Sequence, residues 1–173
     1  YRDGLPLLVD AGVETYTAKT FSAERYDIWT MQTAYHNLPT FNGVQQMPGM
    51  EFRASEVAYA SDDSSSSIAL ELKQAYPADC GLNSWKRTVR HIRGERIEID
   101  DVYSFASPPT DLTWHLITPS DVSVDEDGWI HLTPANTVGD LNSADGWVSF
   151  DADRLSVSHE EIEISDERMS AFW

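Results

Sequence analysis

Cysteine is almost absent from the chain. Cys80 is the only one in 173 residues, which excludes an internal disulfide framework and zinc sites built from several thiolates. Long apolar runs are also missing: no stretch approaches the ~20 residues a membrane-spanning helix needs, and none has the pattern of a signal peptide. The chain opens on Tyr1-Arg2-Asp3-Gly4 without an initiator methionine. It therefore reads as a piece of a longer protein, and leaves the parent's compartment open, cytoplasmic or secreted. Basic residues are scarce, with 12 Lys and Arg against 29 Asp and Glu and a net charge of −17. Such a surface repels nucleic acid and anionic membranes, so neither is an expected partner. The Gly-rich phosphate loops of nucleotide enzymes, Gly-x-Ser-x-Gly and His-Glu-x-x-His are all lacking, which argues against nucleotide chemistry, an α/β-hydrolase and a zincin protease. Asp125-Glu126-Asp127-Gly128 does not have the ligand spacing of an EF-hand loop.

What the chain does contain is β pattern. Hydrophobic residues make up 41% and aromatics 11%, enough for a sizeable core. Glu24 to Trp29, Glu51 to Tyr59, Ser67 to Leu72, Trp85 to Ile92 and Arg96 to Tyr103 alternate polar and apolar residues as half-buried strands do. Leu5 to Asp10, Leu112 to Ile117, Trp129 to Leu132, Trp147 to Phe150 and Leu155 to Ile164 add further candidates. Gly94 between two alternating runs predicts a hairpin, and Trp85, Arg87, Val89 and His91 share one strand face. Asn42-Gly43 and Asp125 to Gly128 are turn signals. The only helix candidate is Leu70 to Tyr76. Many short strands with regular turns predict an all-β fold, a large antiparallel two-sheet β-sandwich, as a single domain over 1–173.

The segment Tyr35-His36-Asn37-Leu38-Pro39 concentrates groups that donate, accept and coordinate. Histidine serves as a general base or metal ligand near neutral pH. The alternative is a turn in which His36 and Asn37 satisfy backbone groups. Lys86, Arg87, Arg90, Arg93 and Arg96 supply 5 of the 12 cations within one short stretch. They make either a locally basic cleft or a solvated strand face.

Asp10-Ala11-Gly12, Thr20-Phe21, Arg25-Tyr26, the Tyr35-to-Pro39 segment, Asn42-Gly43-Val44-Gln45, Ala75-Tyr76-Pro77 and Trp85-Lys86-Arg87-Thr88-Val89 follow in an order that resembles the heparinase II/III-like family. The likeness is clear over roughly the first 105 residues. It implies the carboxy-terminal β-sandwich of a bacterial polysaccharide lyase whose amino-terminal α/α toroid is a separate domain of the parent. Such enzymes cleave anionic, uronic-acid-containing polysaccharide, of heparin, heparan sulfate or alginate type, by β-elimination. Neutralising the uronate carboxylate acidifies the C5 proton; a base takes that proton and an acid protonates the departing O4.

The same resemblance implies His36 as a metal ligand, with Ala34 where a second, catalytic histidine often stands; His36 and Tyr76 are the catalytic candidates within this chain. The resemblance implies Tyr76 as a residue near substrate, the alternative being a buried aromatic beside a proline turn. Asn37, Tyr35 and Arg87 are the expected substrate contacts. A divalent metal, zinc by ligand chemistry, would take His36 and an acidic residue, Glu56 with Glu51 and Asp62 as rivals. His115, His131 and His159 read as surface or satisfied core residues. Trp29, Trp85, Trp114, Trp129 and Trp147 line either a sugar groove or the core. The isolated chain is expected to fold but to be catalytically silent. A non-catalytic carbohydrate-binding module, or a purely structural sandwich, is the competing reading.

Overall fold

The computed structural model describes residues 1–137, 142–171 and 173. The all-β antiparallel class is the one observed. The described strands form sheets of four, three and two strands. The chain divides into two compact units, Pro39–Thr113 and the combination of Tyr1–Leu38 with Trp114–Trp173.

The Pro39–Thr113 unit is built on an antiparallel meander. Its strands are β2 (Ser55–Ser61), β3 (Ser65–Glu71), β4 (Leu82–Ile92) and β5 (Arg96–Phe105), in spatial order β2-β3-β4-β5. β1 (Pro39–Phe41) pairs with β6 (Leu112–Trp114), which ends at the unit boundary. The expected hairpin is the β4–β5 pair, with Arg87 opposite Asp101 and Val89 opposite Ile99. After β1, Asn42 and Gly43 both take positive φ, 53° and 73°, the pattern of a tight primed turn that Asn-Gly favours. The Asn42 side-chain oxygen then accepts from the backbone N–H of Thr110 at 2.8 Å. The helix candidate resolves into the end of β3 and a single 3-10 turn, Lys73–Ala75. The core is aromatic: Phe41 and Trp85 are fully buried. Phe41 meets Tyr76, Phe105 and Trp85 edge-on at centroid distances of 4.9, 5.3 and 5.6 Å. Burying rings of this size contributes roughly 2–3 kcal/mol each.

In the other unit the local pattern misleads in three places. Glu24 to Trp29 is not a strand. It belongs to a run of 3-10 turns, Lys19–Phe21, Ala23–Asp27, Trp29–Met31 and Thr33–Tyr35. The Ser22 hydroxyl accepts from the Glu24 N–H at 3.1 Å, a local bond that competes with a ladder. Leu5 to Asp10 forms no strand: it makes an isolated bridge between Arg2 and Leu5 and scattered bonds, among them Val9 N–H to the Ile117 carbonyl at 2.9 Å and Ala144 N–H to the Pro6 carbonyl at 2.7 Å. Leu155 to Ile164 joins no sheet. Alternation sets which side chains face inward but does not supply a pairing partner.

This unit contains a three-stranded sheet of β7 (Asp121–Val124), β8 (Trp129–Thr133) and β9 (Gly146–Ser149), in the order β7-β8-β9. The expected Asp125-to-Gly128 turn joins the first two strands. The Asp125 carboxylate accepts from the N–H groups of Asp127 and Trp129 at 3.0 and 2.8 Å. Register places Val122, Leu132 and Gly146 in one cross-strand row. Leu132 is 2% exposed, and a Cβ on Gly146 would meet the Leu7 side chain at 2.7 Å. This is the inward face. Near the end, the four-residue α1 (Glu167–Ser170) is capped by Asp166, whose carboxylate accepts from Met169 N–H at 2.9 Å and from Thr15 N–H at 3.0 Å. Those bonds hold the Asp166 carboxyl below its ordinary titration range.

Candidate functional site

His36 closes the Thr33–Tyr35 turn, its backbone N–H bonded to the Thr33 carbonyl. Its ring extends to Asp10, with Nδ1 and Oδ2 2.6 Å apart. A carboxylate only accepts, so the proton of a neutral ring sits on Nδ1 and Nε2 keeps its lone pair. This is the carboxylate–imidazole arrangement that sets the tautomer of bases and metal ligands alike. The His36 side chain is 28% exposed, so the ring is not sealed in a core as the purely structural reading requires. Asp10 also accepts from the Gly12 N–H at 3.0 Å. It lines a cleft of about 280 Å³ with Gly12, Val13, Arg168, Met169 and Trp173. The Trp173 indole N–H donates to the Ala11 carbonyl at 3.1 Å.

The neighbours of His36 hold the backbone together. Asn37 donates its amide to the Val9 carbonyl and accepts from the Ile117 N–H, both at 2.9 Å. It thereby extends the Val9–Ile117 pairing. Tyr35 packs edge-on against Trp29 at 5.2 Å, and the Trp29 indole donates to Glu14 at 2.8 Å.

The remaining predicted residues lie in the Pro39–Thr113 unit. Tyr76 is 3% exposed, and its hydroxyl donates to the Pro39 carbonyl. Burial pushes the phenol well above its ordinary pKa, against a smaller lowering by a hydrogen bond with Gln46. That is the geometry of the buried aromatic beside a proline turn.

Arg87 meets Asp101 as a two-pronged pair, Nε to Oδ1 at 2.9 Å and Nη2 to Oδ2 at 2.8 Å. The same carboxylate accepts the Trp85 indole N–H at 2.6 Å. The rest of the basic stretch is likewise engaged. Lys86 pairs with Glu56, Arg90 with Glu98, and Arg96 with Glu95 and Glu98. Arg93 donates to the Ser61 hydroxyl and the Asp62 carbonyl. Of the two readings, this is a self-neutralised strand face.

The acidic candidates for a zinc site lie in the Pro39–Thr113 unit. Glu56 sits at φ 49° where the β2 register shifts, its carboxylate 3.3 Å from Lys86. The Asp62 carboxylate is occupied by the hydroxyl and N–H of Ser64 and the N–H of Ser65, and Glu51 is exposed. Among the described residues no three His, Cys, Asp or Glu side chains are grouped to hold a metal.

Sequence reasoning gave no role to Asp10. Asp10-Ala11-Gly12 carried part of the family likeness, but His36 stands 26 positions further along the chain. A second Asp–imidazole pair also went unread: His131 Nε2 lies 2.8 Å from Asp145 Oδ1.

The chain matches the family model described as heparinase II/III-like, C-terminal, over residues 1–170. It belongs to that family, and the match runs well beyond the first 105 residues that carried the resemblance. No curated protein matches the chain.

Proposed function

We propose that this chain is the carboxy-terminal part of a polysaccharide lyase that cleaves uronic-acid-containing chains by β-elimination, and that His36 is its contribution to proton transfer. The observation that carries this reading is the Asp10–His36 pair in a partly open position, within a chain of the heparinase II/III-like family. With Nδ1–H turned to Asp10, the His36 Nε2 keeps a lone pair able to take up a proton. Asp10 holds the ring in this orientation, so the C5 proton of a uronate could pass to Nε2 while the C4–O4 bond breaks. The product would carry a 4,5-unsaturated uronate.

The uronate carboxylate needs a cation or strong donors in this scheme. Lys86, Arg87, Arg90 and Arg96 are paired with carboxylates of their own unit. Arg168, on the cleft that Asp10 lines, forms no ion pair among the described residues and is our candidate within this chain. The remaining donors would come from an amino-terminal toroid of the parent. Asn37 and Tyr35 act as positioning residues, holding the segment that presents His36. Tyr76 keeps its proton and supports the aromatic core. A divalent metal would find one ligand in His36 Nε2, and no step is assigned to one.

The test is a lyase assay read at the absorbance of unsaturated uronates, on heparin, heparan sulfate and alginate oligomers. The isolated chain should be silent. The parent should turn over and lose about 10²- to 10⁴-fold on His36→Ala, the range for loss of a general base. Robust turnover by the isolated chain would refute the split site, and an active His36→Ala parent would remove His36 from the chemistry.

A further inference from the structure

We infer that the outward face of the β7-β8-β9 sheet is a carbohydrate-binding surface for neutral pyranose rings, separate from the Asp10–His36 pair. Strand register alternates the side chains of this sheet. Ser123, His131 and Trp147 form one cross-strand row, flanked by Asp121 opposite Thr133 and by Trp129 opposite Ser149. The row behind them, Val122, Leu132 and Gly146, faces inward. Two tryptophans are thus left on the outside, Trp129 at 45% and Trp147 at 54% exposed.

Their indoles differ from those of Trp29, Trp85 and Trp173. Trp29, Trp85 and Trp173 each donate their ring N–H, to Glu14, Asp101 and the Ala11 carbonyl. Trp129 and Trp147 have no such partner among the described residues. Exposed large rings forgo the burial that stabilises a fold, and an exposed apolar patch set among polar groups marks a binding surface.

The surface is also held rigid. His131 stacks on Trp147 with ring centroids 3.8 Å apart and planes 3° from parallel. Its Nε2 is fixed by Asp145 at 2.8 Å, and Asp145 in turn accepts, through its backbone carbonyl, from Arg2 at 2.6 Å. Trp129 stands against Trp147 at 85° and 6.3 Å. One face of Trp147 is therefore covered by imidazole while the residue stays half exposed. Fixing rings before a ligand arrives lowers the entropy cost of binding.

The chemistry of the face selects its occupant. A pyranose has an apolar C–H face that lies on an indole and a rim of hydroxyls that need partners. Here the indole N–H groups, Ser123 and Ser149 can donate, and Asp121 and Asp145 can accept. Asp145 is paired with Arg2 at 3.6 Å, but Asp121, on a chain of net charge −17, disfavours a uronate or sulfated ring. A second copy of the chain is a poor fit: two tryptophans offer about 150–250 Å² each even when fully exposed, against the roughly 800 Å² per partner of a stable interface.

The experiment follows the indole N–H signals of the ¹⁵N-labelled chain, assigned with Trp129→Phe and Trp147→Phe. The probes are cellohexaose and mannohexaose as neutral ligands and an alginate hexamer as the anionic one. The neutral hexamers should move the Trp129 and Trp147 signals. Trp147→Ala should weaken binding at least about tenfold with unchanged circular dichroism, and His131→Ala should weaken it by freeing the ring. His36→Ala should leave it intact, which separates this surface from the lyase reading. Three results would overturn the inference: no movement of either indole with any hexamer, tighter binding of the alginate hexamer than of both neutral ones, or a concentration-dependent self-association that Trp147→Ala abolishes.

Discussion

Asp10 Oδ2 lies 2.6 Å from His36 Nδ1, so the side chain that orients the histidine comes from a different part of the chain than the histidine itself. At neutral ring charge the proton belongs on Nδ1, and ¹⁵N spectra of the imidazole should report a protonated Nδ1 and a bare Nε2. Asp10→Asn weakens that preference, because an amide presents either a donor or an acceptor. Mixed tautomers are expected in the spectrum, with activity of the parent lyase reduced about 10- to 100-fold, as for loss of a residue that orients a site histidine. An Asp10→Asn parent at full activity with an unchanged imidazole spectrum would show that the pair has no part in the chemistry.

Asn37 makes a prediction about stability. Its amide serves two backbone groups at once, the Val9 carbonyl and the Ile117 N–H. Asn37→Ala should cost about 2–3 kcal/mol, since each partly buried partner left unsatisfied costs on the order of 1–3 kcal/mol. Asn37→Asp keeps the acceptor for Ile117 and loses the donor for Val9, so its denaturation midpoint in urea should fall between those of the wild type and the alanine variant. Equal losses would mean that only the Val9 bond matters.

Where the sequence could be read, two local signals coincided. The β4–β5 hairpin combined sustained alternation with Gly94 at a positive φ of 75°. The Asn42-Gly43 and Asp125-to-Gly128 turns carried residues whose conformation or side-chain bonding is specific to turns. Glu24 to Trp29 had alternation alone, and Ser22 with successive i→i+3 bonds turned it into 3-10 structure. The site was half legible for a related reason. His36 stood in a dense polar segment, but Asp10 reaches it only through tertiary folding. The cations from Lys86 to Arg96 looked like a basic cleft or a solvated face until the register set Arg87 opposite Asp101.

That Arg87–Asp101 pair should be among the most sensitive in the chain. The two side chains are 11% and 4% exposed, and the Asp101 carboxylate also anchors the fully buried Trp85 through its indole. Arg87→Met leaves a buried carboxylate without its cation, which costs about 3–5 kcal/mol. Arg87→Met combined with Asp101→Asn removes the orphaned charge and keeps an acceptor for the indole, so part of the loss should return. Chemical denaturation of both variants checks this; a double variant less stable than Arg87→Met would argue that the charges contribute independently.

Tyr76 predicts an alkaline limb in the stability of the fold. Burial raises the phenol pKa in the folded state, while an unfolded tyrosine ionises near pH 10. Above that pH the unfolded chain holds fewer protons than the folded one, so stability falls as pH rises. The contribution is fully present below about pH 10 and is lost as pH climbs toward the raised folded value. Tyr76→Phe removes the titrating group and also the bond to the Pro39 carbonyl. Near neutrality it should therefore be about 1–2 kcal/mol less stable than wild type, the cost of one unmet buried acceptor. Above pH 10 the gap should narrow, because only the wild type continues to lose this term. Thermal melts of both proteins between pH 7 and pH 11 measure the gap directly. A gap that stays constant across that range would place the Tyr76 hydroxyl in contact with water rather than in the core beside Phe41 and Trp85.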